Sequence, residues 1–185
     1  KKFNLIHCDF PYGIGVFDGD YGGGDRHQTY DDSIATYVAL LECLCTNIDR
    51  IMSISGHLMF WYSERHRDLT AETFARLAPS LHFSTFPLIW VKSDNAGIIS
   101  DARRQPRHVY ETCLLASRGS RQIVRVVADA YSCPTDKRWH VSAKPESPFL
   151  QNNTTLLVDL HGIEGHVVRP VFEDEERPVN HRGIV

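Results

Sequence analysis

Apolar and polar positions alternate in blocks along this chain. Phe3 to Cys8 (FNLIHC) is short and largely apolar, is ended by Asp9, Pro11 and Gly13, and predicts a buried strand that leaves the sheet into a loop. The loop, Gly13 to Asp32, carries Gly19, Gly22, Gly23 and Gly24 among Asp and Tyr, a length that in a compact domain points to function or mobility. Ser33 can cap a helix in which Ile34, Tyr37, Val38, Leu41, Leu44, Ile48 and Ile51 recur at three- and four-residue steps, so one face is apolar and lies on a sheet. Gly56 opens a second strand, His57 to Tyr62, followed by a helix near Asp68 to Leu77 and a strand from His82 to Val91.

Such alternation predicts an α/β sandwich with a parallel sheet, in which ligands bind at the carboxyl ends of the strands. Farther along, Val109 to Ala116 and Gln122 to Val127 flank Arg118, Gly119 and Ser120, which reads as two strands joined by a tight turn that close the sheet with an antiparallel edge.

The 185 residues, 42% hydrophobic and 23% charged, suit one compact domain spanning 1–185 and exclude disordered, fibrous and repeat architectures. A formal charge of -3 does not advertise a nucleic-acid binder, so any such reading has to be local. Five cysteines (Cys8, Cys43, Cys45, Cys113, Cys133) without a CxxC pair indicate neither a disulfide framework nor a zinc knuckle, and a reduced, cytoplasmic protein is expected. No apolar run reaches the ~18 residues of a membrane span, and the start lacks a signal-peptide pattern. Lys1 and Lys2 run straight into the first strand without a Met, so the natural chain is expected to begin earlier.

The residues with the most chemistry are Asp9, Phe10, Pro11 and Tyr12, directly after the first strand. An acid at a strand end, then a proline and an aromatic ring, offers a carboxylate, a backbone carbonyl and a stacking surface within one turn. A base turned out of a duplex needs acceptors for its exocyclic amine and an aromatic face to replace lost stacking.

This segment, CDFPYGIG, resembles motif IV of the amino-methylating DNA methyltransferases, usually (D/N/S)PP(Y/F/W), with Phe10 where the family has proline. The resemblance implies that Asp9 and the Pro11 carbonyl accept hydrogen bonds from the target amine and that Tyr12 stacks on the base. Asp in the first place favours adenine over cytosine in that family. Trp139, His140, Lys144, Pro145 and Glu146 (WHVSAKPES) look like the segment that precedes the cofactor-binding strand, and this order is that of the β class. The stretch AGIISDARRQPRHVYETCLLASRG is similar to phage and prophage adenine methylases, and the likeness spans about Phe3 to Glu146. It implies a Rossmann-like S-adenosylmethionine-dependent methyltransferase fold, mostly parallel with an antiparallel edge. It also implies S-adenosylmethionine as cofactor and DNA as partner; a homodimer is left open, and no membrane partner is expected. Cofactor contacts would fall to Asp9, Phe10, Lys144, Pro145, Asp159 and Gly165.

The cofactor turn departs from the family. A turn of the type DPFxGxG is expected after a strand; here Thr154 to Val158 leads into Asp159, Leu160, His161, Gly162, Ile163, Glu164 and Gly165, with Ile163 where a glycine belongs. About fifteen residues separate Lys144 from Asp159, too few for the expected helix and its connections. Either residues are absent between Phe149 and Gly165, or the gene has decayed into a methyltransferase-like DNA-binding module without turnover; the intact DFPY favours the first. The run Glu173 to Glu176 offers an acid for ribose hydroxyls or is a solvated face.

Between Lys92 and Arg138 nine Lys or Arg meet five acids, about +4, which leaves about -7 elsewhere. A phosphate-contacting face needs that asymmetry, and Arg103, Arg104 and Arg107 in the 92–107 loop are the residues expected to face DNA. Ten histidines show no HxxxH pair, and Cys43 and Cys45 stand about 200° apart on a helix, so no metal is assigned. His7 and Cys8 adjoin the site but point to opposite faces, which puts one of them in the core. Cytosine N4 or a side-chain amide would use the same acceptors, and the residues alone leave these targets open.

Overall fold

The computed structural model describes residues 2–15, 31–97, 103–120, 128–135, 158–162 and 165–170, the last two ranges as backbone only. Strand β1 (Phe3–Asp9) is followed by helix α1 (Ile34–Ile51), β2 (Met52–Tyr62), a short 3-10 turn (Glu64–His66), helix α2 (Arg67–Leu77), β3 (His82–Phe83), β4 (Leu88–Lys92), β5 (Tyr110–Arg118), β6 (Ala130–Cys133), β7 (Val158–Gly162) and β8 (Gly165–Pro170). They form one sheet in the order β6-β4-β5-β2-β1-β7-β8, with β3 also paired to β5.

The expected helix forms with its expected cap. Ser33 is extended (φ -73, ψ 153) and its Oγ accepts from the Thr36 amide at 3.2 Å, satisfying one of the helix's orphan donors. Asp31 adds a carboxylate that accepts from the Ser33 amide and from the Ser33 and Thr36 hydroxyls, and these bonds hold its carboxyl below the usual range. The apolar stripe of α1 buries Tyr37, Leu41, Leu44, Cys45 and Ile48 against Ile6 and Cys8 of β1 and Leu58, Phe60 and Tyr62 of β2. Each such side chain stabilises the fold by about 1.5–3 kcal/mol relative to exposure. Phe74 of α2 completes this layer edge-to-face on Phe60, with ring centroids 5.2 Å apart.

Alternate strand residues face the other side, where Met59, Trp61, Trp90 and Cys113 form a second cluster with Leu5, Tyr12, Leu88 and Leu115 packed on it. Cys8 is therefore the core residue of the His7–Cys8 pair. Among the described residues no helix is long and apolar enough to cross a membrane.

Three expectations are corrected. The sheet is mixed rather than mostly parallel: β1–β2, β1–β7 and β4–β6 are parallel, while β2–β5, β3–β5, β4–β5 and β7–β8 are antiparallel. The antiparallel strand from the 109–116 run, β5, is interior rather than an edge, because β2 takes one of its sides and β3 with β4 the other. Its expected partner, Gln122 to Val127, lies outside the described residues. The single strand expected from His82 to Val91 splits in two: β3 pairs with β5 as far as the Ser84 amide on the Leu115 carbonyl at 2.8 Å, and pairing resumes in a shifted register at Leu88, after Pro87, which has no N–H for the ladder.

Candidate functional site

Asp9 is the last residue of β1, half-buried at the carboxyl end of the strand and opposite Trp61 of β2. The chain leaves β1 toward β2 through α1, whereas β7, on the other side of β1, leads away into β8. The carboxyl ends of the parallel strands are where α/β sheets take ligands. His7 pairs with Asp159, so the last residues of β7 lie beside the end of β1.

The turn after β1 is clamped on three sides. Gly13 has φ +67, and its amide bonds Oδ1 of the buried Asp32 at 2.8 Å. The Asp32 carbonyl accepts from the Gly15 amide at 3.2 Å, so the two ends of the long loop are joined at its base. His66 Nε2 donates to the Gly13 carbonyl at 2.9 Å, and the His66 ring lies 5.6 Å from that of Tyr37. Gly13, Ile14, Gly15, Asp32, Arg65 and His66 border an open depression of about 430 Å³. Residues 16–30 of the loop lie outside the described residues.

Phe10 turns toward α1, with its ring edge-to-face on Phe60 at 5.6 Å. Phe10, where the resembled motif has proline, thus places a ring in the first core. Pro11 is half-buried between the two aromatics. Tyr12 points to the other side and packs on the Trp61–Trp90 cluster. Its hydroxyl lies 3.1 Å from Asp9 Oδ1 and 2.9 Å from Glu111 Oε2. Burial, then the charges of Asp9 and Glu111, raises the Tyr12 hydroxyl well above the ordinary tyrosine range. Glu111 Oε1 is in turn paired with Lys92 Nζ at 2.7 Å, with both side chains 17% exposed. On the same face Trp61 Nε1 donates to His7 Nε2 at 2.6 Å, which requires that nitrogen to be unprotonated.

The structure brings Asp9 and Tyr12 together and adds Glu111, Lys92, Asp32 and His66, none of which the sequence reading singled out. Glu111 stands 99 positions from Tyr12 and is brought to it by the pairing of β5 in the sheet; Asp32 stands 19 positions from Gly13 and meets it where the loop closes on its base. The basic loop joins the same end of the sheet, because β4 and β2 both run antiparallel to β5 and β4 ends at Lys92. Its base is fixed by the Lys92 amide on the Val109 carbonyl at 2.8 Å and by Gly97, pressed so closely on the His108 carbonyl that a Cβ has no room. Arg103, Arg104 and Arg107 are exposed on it, and Arg107 Nη1 lies 3.5 Å from the Gly97 carbonyl.

Of the expected cofactor contacts, Asp159 stands inside β7 and Gly165 opens β8, so this stretch is a strand pair where the resemblance implied a glycine-rich turn after a strand. Lys144 and Pro145, the WHVSAKPES segment around them, and Glu173 to Glu176 lie outside the described residues.

No protein-family model matches the chain, and no curated protein matches it. Among solved structures, the one described as "crystal structure of M1.HpyAVI-SAM complex" is similar, with 14% identity and a TM-score of 0.49. The match covers 78% of this chain and 62% of that one, so this chain spans less than two thirds of its length.

Proposed function

We propose that this chain transfers a methyl group from S-adenosylmethionine to the exocyclic N6 amine of adenine in DNA, on a mixed-sheet version of the Rossmann-like methyltransferase fold. The observation that carries the reading is the DFPY turn at the carboxyl end of β1, where the Tyr12 hydroxyl lies 3.1 Å from Asp9 Oδ1. The basic loop at the same end of the sheet supports DNA as the partner, since phosphate neutralisation there would hold the duplex over the site.

Among the described residues the Asp9 carboxylate, at the end of β1, suits the positive charge of a sulfonium. When bound, S-adenosylmethionine supplies an electrophilic methyl. Asp9 and the Pro11 carbonyl accept the two amine hydrogens of a flipped adenine and turn its nitrogen lone pair out of the ring's conjugation. Tyr12 offers the ring for stacking. Orientation and fixed acceptors then carry the rate, and Asp9 need not be a strong base, because the amine sheds a proton readily once methylated.

The test is transfer of a labelled methyl group to duplex DNA by the whole chain, with calorimetric titration of S-adenosylmethionine alongside. Asp9→Ala should reduce transfer by about a hundredfold or more, the scale of a lost transition-state contact, with a smaller effect on cofactor affinity. A wild-type chain that neither binds the cofactor nor methylates DNA would leave the DNA-binding module as the reading.

A further inference from the structure

The phenol of Tyr12 has one proton and two carboxylates to give it to, Asp9 Oδ1 at 3.1 Å and Glu111 Oε2 at 2.9 Å. We infer that Glu111 is a positioning residue for methyl transfer: it accepts the hydrogen bond of the Tyr12 hydroxyl and so leaves the Asp9 oxygen as an acceptor for the target amine. The inference rests on the methyltransferase reading above and adds to it a residue from β5, outside the DFPY turn.

The geometry explains the preference. The contact to Glu111 is the shorter of the two, and Lys92 Nζ, 2.7 Å from the other Glu111 oxygen, fixes that carboxylate and compensates its charge. Lys92 itself lies over the Trp90 ring at 5.3 Å, so the pair is braced by the second core cluster. At 17% exposure, Glu111 and Lys92 are shielded enough for these bonds to outcompete water. Once Glu111 is removed, Asp9 is left as the described carboxylate within reach of the phenol. The Tyr12 hydroxyl then occupies Asp9 Oδ1 and draws negative charge from the oxygen that must orient the amine.

This logic gives a rescue that a merely structural role would not. Glu111→Ala should lower kcat roughly ten- to hundredfold, as expected when a competing charge-assisted bond takes the acceptor, with KM for DNA little changed. Adding Tyr12→Phe, which keeps the ring and removes the competing hydroxyl, should restore much of that loss. Should Glu111→Ala fold poorly with Lys92 unpaired, Lys92→Met/Glu111→Leu removes both charges and should show the same loss and the same rescue.

A second readout needs no turnover. The slowly exchanging Tyr12 hydroxyl proton, identified by 1H NMR from its loss in Tyr12→Phe, should keep its shift in Asp9→Ala and move in Glu111→Ala. A resonance that moves in Asp9→Ala and stays in Glu111→Ala overturns the inference, as does a double variant no more active than Glu111→Ala. Absence of methyl transfer by the wild-type chain defeats the functional reading instead, and the NMR result still decides where the proton lies.

Discussion

Replacement of Gly13 by alanine probes the turn that sets Tyr12 in place. At φ +67 any residue with a Cβ adopts a left-handed conformation that costs roughly 1–2 kcal/mol. The new Cβ would lie 2.9 Å from Tyr37 Cβ and 3.1 Å from Ile34 Cα, in the first turn of α1. Neither atom is the tip of a flexible side chain, so the helix start or the turn must shift, which adds about 1–3 kcal/mol of overpacking. The two effects together give about 2–5 kcal/mol, a large share of the roughly 5–15 kcal/mol typical of a domain. In urea unfolding with a slope of about 2 kcal/mol per M, the midpoint should fall by about 1–2.5 M. Gly13→Asn separates the causes: asparagine tolerates the left-handed backbone but brings the same Cβ, so it should recover only the conformational part. A Gly13→Ala chain that unfolds within about 0.5 kcal/mol of wild type, the scatter of neutral substitutions, would refute the clamped turn.

Other expectations follow from burial and charge. Burial pushes Tyr37 and Tyr62 up to about 12 and raises Tyr12 as well, so the unfolded chain loses these protons first as pH passes about 10. Stability should be full below pH 10 and fall from there toward 12; a urea midpoint equal at pH 8 and pH 11 would contradict this. Burial raises the Cys8 thiol and pushes Cys45 up to about 12, whereas Cys43 is exposed. Iodoacetamide at pH 8 should label Cys43 in the folded chain and Cys8 and Cys45 only on unfolding, as peptide mass spectrometry would read. Replacing Arg103, Arg104 and Arg107 together by alanine should weaken duplex DNA binding and reduce the slope of log affinity against log salt by about 2–3. An unchanged slope would remove that loop from the interface.

Much of the fold was legible because it is encoded locally. The 3.6-residue apolar stripe from Ile34 to Ile51 and the Ser33 cap predict α1 as observed, and the run ending at Asp9 predicts β1. What could not be read is pairing at a distance. β5 has the composition of an edge strand until β2, β3 and β4 are seen to take both its sides. β6 is four residues, AYSC, too short for any periodicity to stand out. The acid and aromatic of the site were visible as neighbours in one tetrapeptide. Their setting was not: Glu111 reaches Tyr12 only because β5 runs antiparallel to β2, and Asp32 reaches Gly13 only because the loop returns to its own base.

The central claim is that Asp9 and its turn present a flat amine for methylation, and nucleoside mass spectrometry of duplex DNA incubated with the chain and S-adenosylmethionine tests it most directly. N6-methyl-2′-deoxyadenosine should appear with the wild-type chain and vanish with Asp9→Ala. Methylation that persists undiminished in Asp9→Ala, or a modified cytosine in place of adenine, would contradict the account.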